Sequence, residues 1–100
     1  MNVAAFVRAG EPSWRELEQL VSRAGARPER LGADGVRRLG GLYRAAAADL
    51  AYARRRFPED PVTSRLTTLV IRARAAVYAG SGSERGGFLE IFGRGYWRRL

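Results

Sequence analysis

The chain has no cysteine, no histidine and no lysine. Without cysteine there is no disulfide, no thiolate nucleophile and no thiolate metal site. Without histidine the commonest general base, the commonest zinc ligand and the usual pH switch near neutrality are gone. Without lysine there is no P-loop, and Gly80, Gly82, Gly86 and Gly87 follow no strand pattern, so a dinucleotide cradle is not expected either. Ser13, Ser64, Ser81 and Ser83 have no base to activate them. The chain is therefore read as non-enzymatic, with no cofactor and no metal. Long apolar runs are also missing. Nothing approaches the ~18–20 residues of a spanning helix, and the opening MNVAAFVRAGEP has neither the charged start nor the apolar stretch of a signal peptide.

What is present fits one small domain. The 100 residues are 46% hydrophobic and carry a net charge of +8, with arginine as the sole basic residue type. A chain of this length buries a little over ~60% of its unfolded surface, enough for one modest core. The arginine excess has two readings: codon bias of a GC-rich genome on a solvated surface, or a basic face for nucleic acid, acidic protein or anionic lipid.

Nearly every apolar pattern has helical period and none alternates, so the fold class is all-α. Asn2 caps a first short helix bearing Val3, Phe6 and Val7. Glu11-Pro12 marks a kink or a restart, and Ser13-Trp14-Arg15-Glu16 has the spacing of a capping box. Trp14, Leu17, Leu20, Val21 and Ala24 form one stripe, ended by Gly25 and Pro28. Residues 27–32 read as a loop. A long helix covers about 33–56, with Val36, Leu39, Leu42, Tyr43, Ala46, Leu50 and Ala53 on its apolar face. Arg54, Arg55 and Arg56 suit its C-terminus, and Phe57-Pro58 stops it. Asp60-Pro61 starts another helix over about 61–79, with Val62, Leu66, Leu69, Val70, Ala73, Ala76 and Val77 on one side. The short link makes the two long helices an antiparallel hairpin, on which shorter N-terminal helices pack.

Few polar residues stand out as candidates. Arg44 and Asp49 flank the apolar face of the first long helix, and Arg72 that of the second. Asp49 and Arg72 are either an exposed pair of little consequence or an interhelical ion pair that sets register. Tyr43 and Tyr78 are amphipathic residues at the edge of the core, or partner contacts.

Three blocks carry a resemblance. Leu39 to Arg54 reads LGGLYRAAAADLAYAR, Leu66 to Tyr78 reads LTTLVIRARAAVY, and the chain closes on IFGRGYWRR. With FVRAGEPSWRELEQL near the start, these are similar to the N-terminal region of the stage II sporulation protein M family. The Leu-Tyr-Arg and Ala-Asp-Leu pieces stand at that family's separation, and Arg44, Asp49 and Arg72 match its pattern. Thr67 replaces a usual asparagine, Arg74 a usual histidine and Trp97 a usual proline. The resemblance implies the cytosolic head of a multi-pass bacterial inner-membrane protein, on the cytoplasmic side of the cell membrane. It implies a scaffold or adaptor role beside envelope-remodelling proteins, in peptidoglycan remodelling and, in spore formers, engulfment.

The terminal segment fits that setting. Phe88, Leu89, Phe92, Tyr96 and Leu100 share one broad helical arc, with Glu90, Arg94 and Arg98 opposite. Phe88, Phe92, Arg94, Tyr96, Trp97, Arg98 and Arg99 are the candidates for a membrane interface. The competing reading is an amphipathic helix packed on the bundle. The expected division is a helical domain over 1–85 and a juxtamembrane segment over 86–100 leading to membrane spans. The alternatives are a basic nucleic-acid-binding domain, disfavoured because the arginines are spread without a recognition helix, or a homodimerising helical module.

Overall fold

The computed structural model describes residues 2–25 and 27–79. Three α-helices and one short 3-10 turn account for nearly all of them, and no strand occurs among the described residues. Helix α1 is Val3–Ala24, the 3-10 turn Pro28–Leu31, α2 Gly32–Arg56 and α3 residues 61–79. The all-α bundle expected from the periodicity is what forms.

The N-terminal part departs from expectation. In place of one or two shorter helices there is a single 22-residue helix that runs through Pro12. Asn2 does cap it, its Oδ1 accepting the Ala5 N–H at 2.8 Å. Ser13 stands inside the helix, so the capping-box spacing starts nothing. An internal proline removes one backbone hydrogen bond and costs roughly 3 kcal/mol. Continuity offsets this by bringing Phe6 and Trp14, one on each side of Pro12, into the same core, where they are 6% and 1% exposed. Full burial of one such side chain is worth about 1.5–3 kcal/mol. Tertiary packing decides the outcome.

The other helix boundaries follow local chemistry. Gly25 ends α1 with φ +55°, a left-handed conformation that glycine accepts freely, and its N–H returns to Val21 O at 3.1 Å. The stretch read as a loop contains the 3-10 turn, and Pro28 at its head is buried. The link from α2 to α3 is tight. Phe57 N–H donates to Ala53 O at 2.7 Å and Asp60 N–H to Phe57 O at 3.1 Å. Asp60 then caps α3, accepting from Val62 N–H at 2.9 Å, with Pro61 at the first helical position as the sequence predicts. The buried Thr63 hydroxyl donates to Phe57 O at 2.6 Å and so fastens the turn from inside.

Contacts give the topology. Trp14 meets Asp49 and Phe6 meets Tyr52 and Phe57, so α1 advances as α2 recedes and the two are antiparallel. Arg65 meets Glu11 and Glu18, while Val21 and Gly25 share a groove with Arg72 and Ala79, so α3 runs alongside α1. The chain goes up, down and up. The core is one cluster fed by all three helices, including Leu17, Leu39, Leu66 and Ala73, each no more than 1% exposed. Among the described residues, the apolar stripes read from the sequence are buried or half-buried with it except at Val36, which is 39% exposed near the start of α2. None of the helices among the described residues is long and apolar enough to cross a membrane.

Candidate functional site

The densest polar chemistry lies where α1 meets the other two helices, and it is centred on Trp14. The indole is 1% exposed. Its Nε1–H donates to Asp49 Oδ2 on α2 at 2.9 Å. One side meets Phe6, with ring centroids 5.5 Å apart. The Arg65 guanidinium of α3 stands over the ring at 5.4 Å from its centroid, a cation–π placement. Phe6 extends the aromatic cluster to Tyr52 and Phe57, at 5.3 and 5.6 Å. These separations are in the range where tilted aromatic pairs attract.

Arg65 is held from α1. Its Nη1 donates to Glu11 Oε1 at 2.7 Å and its Nη2 to Glu11 Oε2 at 3.2 Å, a bidentate fork. Its Nε reaches Glu18 Oε2 at 3.4 Å. Glu11 also accepts from Arg15 Nε at 2.7 Å. The hydrogen bonds from Arg65, and then from Arg15, hold the Glu11 carboxyl down to about 2. The bonds to Glu11, and after them the one to Glu18, raise Arg65. A second fork joins α1 to α2: Arg38 Nε and Nη2 donate to Glu16 Oε2 and Oε1, both at 2.7 Å, which lowers Glu16 and raises Arg38. Among the described residues no buried side-chain nitrogen or oxygen lacks a partner.

This gives a pH dependence with a definite sign. A carboxyl whose pKa is depressed on folding contributes stability above its ordinary pKa of 4.5 and loses it as pH falls towards the folded value of about 2. Glu16 and Glu29 are lowered too. Urea midpoints are expected to be flat above pH 5 and to fall between pH 4.5 and 2. The Glu11→Gln variant is expected to show a shallower fall in that window, and superimposable wild-type and variant profiles would contradict the assignment.

The residues singled out from the sequence are not gathered in one place. Asp49 is half-buried and spent on Trp14. Arg72 is exposed and lies in the shallow groove between the ends of α1 and α3, beside Val21, Ser22 and Ala75. No ion pair joins Asp49 and Arg72 among the described residues, so the register-setting version of that pair is not what forms. The reason is rotational: Asp49 faces α1. Arg44 is exposed. Tyr43 packs half-buried against the core, as the edge-of-core reading has it. Tyr78 is 47% exposed, with Arg74 at 5.3 Å from its ring centroid. Thr67 turns its hydroxyl back to Thr63 O at 2.8 Å. Phe88, Phe92, Arg94, Tyr96, Trp97, Arg98 and Arg99 lie outside the described residues.

Sequence reasoning overlooked Arg65, Glu11 and Glu18. A signal was present. Glu11 and Glu18 are seven residues apart and so share an edge of α1, while Arg65 stands at the margin of the apolar face of α3, which has no acid of its own to pair with it.

No curated protein and no solved structure matches the chain. A family match does exist, over residues 4–79, described as a domain of unknown function, DUF8413. It runs from the second residue of α1 to the last described residue of α3 and takes in the Trp14, Asp49 and Arg65 cluster, so the chain belongs to the DUF8413 family.

Proposed function

We propose that this chain is the cytosolic head of a bacterial inner-membrane protein similar to the stage II sporulation protein M family. In this reading it is non-enzymatic and serves as a scaffold or adaptor in envelope or peptidoglycan remodelling, including engulfment where the cell sporulates. The observation that carries the reading is how the acidic groups are used. Glu11, Glu16, Glu18 and Asp49 are engaged in fastening one helix to another, while exposed arginines such as Arg8, Arg23, Arg44 and Arg72 stay clear of them. Side chains that would otherwise serve acid–base work serve cohesion, and what is presented outwards is a firm, positively charged body suited to binding. Two of the blocks that carry the resemblance, Leu39 to Arg54 and Leu66 to Tyr78, supply core residues of α2 and α3.

The test is sedimentation with lipid vesicles. The full chain and residues 1–85 are mixed with phosphatidylcholine vesicles, alone or containing phosphatidylglycerol, at low and high salt. The full chain is expected to pellet with the anionic vesicles, less so at high salt, and to lose much of that binding with residues 86–100. Absence of vesicle binding by a folded full chain would count against the membrane setting.

A further inference from the structure

We infer that the side of the bundle formed by α2 and α3, turned away from α1, is a docking surface for an anionic lipid bilayer. This deepens the proposed membrane setting and rests on it. Asp49 on α2 and Arg65 on α3 mark the directions that face α1. Counting about 100° per residue from those anchors, Val36, Tyr43 and Arg44 fall about 120–140° round α2, and Ile71, Arg74 and Tyr78 about 120–180° round α3. Ile71 is 63% exposed, Tyr78 47% and Val36 39%, and these are the large hydrophobic side chains left most open to solvent among the described residues. All three lie in this arc.

Charge is divided in the same way. Helix α3 has no carboxylate, and α2 has only Asp34, paired with Arg37, and Asp49, bound to Trp14. The acidic residues of α1 face the other helices or Arg15. The α2–α3 side therefore offers the guanidiniums of Arg44 and Arg74, an aliphatic side chain and a tyrosine, with no helical carboxylate to repel phosphate. Arg74 already rests against Tyr78. Guanidiniums reaching phosphates beside aromatic and aliphatic groups at headgroup depth form an interfacial pattern. Ile71 decides between lipid and nucleic acid. A duplex binds through phosphate charge and leaves an isoleucine wet, whereas the headgroup–acyl boundary buries it.

The experiment uses the full chain and vesicles of phosphatidylcholine, with and without phosphatidylglycerol. The variant carrying both Arg44→Glu and Arg74→Glu is expected to bind the anionic vesicles about twenty-fivefold more weakly or worse, since each arginine near such a surface counts for about a fivefold change. Ile71→Ser is expected to weaken binding at high salt as well as low, with its melting temperature held. A control with Arg8→Glu and Arg23→Glu makes the same change in net charge on α1 and is expected to bind nearly as the parent. Equal loss in the control would overturn the proposal in favour of net charge alone. Unchanged binding by the α2–α3 variants, in a chain that still needs residues 86–100 to pellet, would overturn this surface while sparing the membrane-head reading. A loss confined to a short DNA duplex, with vesicle binding intact, would overturn it in favour of nucleic acid.

Discussion

Replacing Gly10 by alanine is expected to destabilise the protein by about 1–3 kcal/mol, the range for overpacking a filled site. Helix propensity alone predicts the opposite sign, since alanine is favoured over glycine by up to ~1 kcal/mol within a helix. Geometry overrules propensity. A Cβ on Gly10 would stand 2.5 Å from Cε2 of Trp14 and 3.0 Å from Cη2, inside the indole ring's own contact distance. The indole has nowhere to go. It is tied to Asp49 at its nitrogen, flanked by Phe6 and covered by Arg65. The measurement is urea unfolding of the wild type, Gly10→Ala, Trp14→Leu and the double variant. In the Trp14→Leu background the alanine is expected to become neutral or stabilising. A Gly10→Ala penalty that persists undiminished there would show that the indole is not its cause.

Trp14→Ala is expected to cost about 3–5 kcal/mol, the usual loss for removing a buried aromatic. For a domain of this size that is a large share of a total stability of roughly 5–15 kcal/mol. The loss has two separable parts. Trp14→Phe keeps an apolar ring but removes the donor to Asp49, leaving a half-buried carboxylate without its bond, which costs about 1–3 kcal/mol. Adding Asp49→Leu to Trp14→Phe is expected to recover part of that difference, because no acceptor is then stranded. Chemical denaturation followed by far-UV circular dichroism reads all three. If Trp14→Phe proves as stable as the wild type, the Trp14–Asp49 bond contributes nothing and the cluster is apolar packing alone.

The elements were legible in the sequence wherever the signal is local. Asp60-Pro61 predicted the start of α3 because an aspartate cap followed by proline needs no distant partner. Gly25 marked the end of α1 for the same reason. The stripes around Leu17, Leu39 and Leu66 named the core because a helical period of apolar residues records burial whatever lies opposite. Pro12 misled, since proline reads as a break on local grounds and only the joint burial of Phe6 and Trp14 carries the helix past it. Polar pairing was harder still. Whether Asp49 meets Arg72 or Trp14 depends on how far α2 is turned about its axis, and no spacing within α2 records that angle. Gly10 carries no signal in the sequence, because the ring that occupies its missing side chain is set by three partners elsewhere in the chain.

The way α1 is fastened has a consequence for synthesis. The residues that receive it come late: Asp49 follows Trp14 by 35 positions, and Arg65 follows Glu11 by 54. At a translation rate of about 5–20 residues per second, Glu11 waits roughly 3–10 s for its arginine. Helix α2 and α3, joined by four residues, can close on each other almost as soon as both have emerged. Helix α1 is thus made before either of the helices that receive it, and until α2 emerges Phe6 and Trp14 are borne on a nascent chain whose binding place has not yet been synthesised.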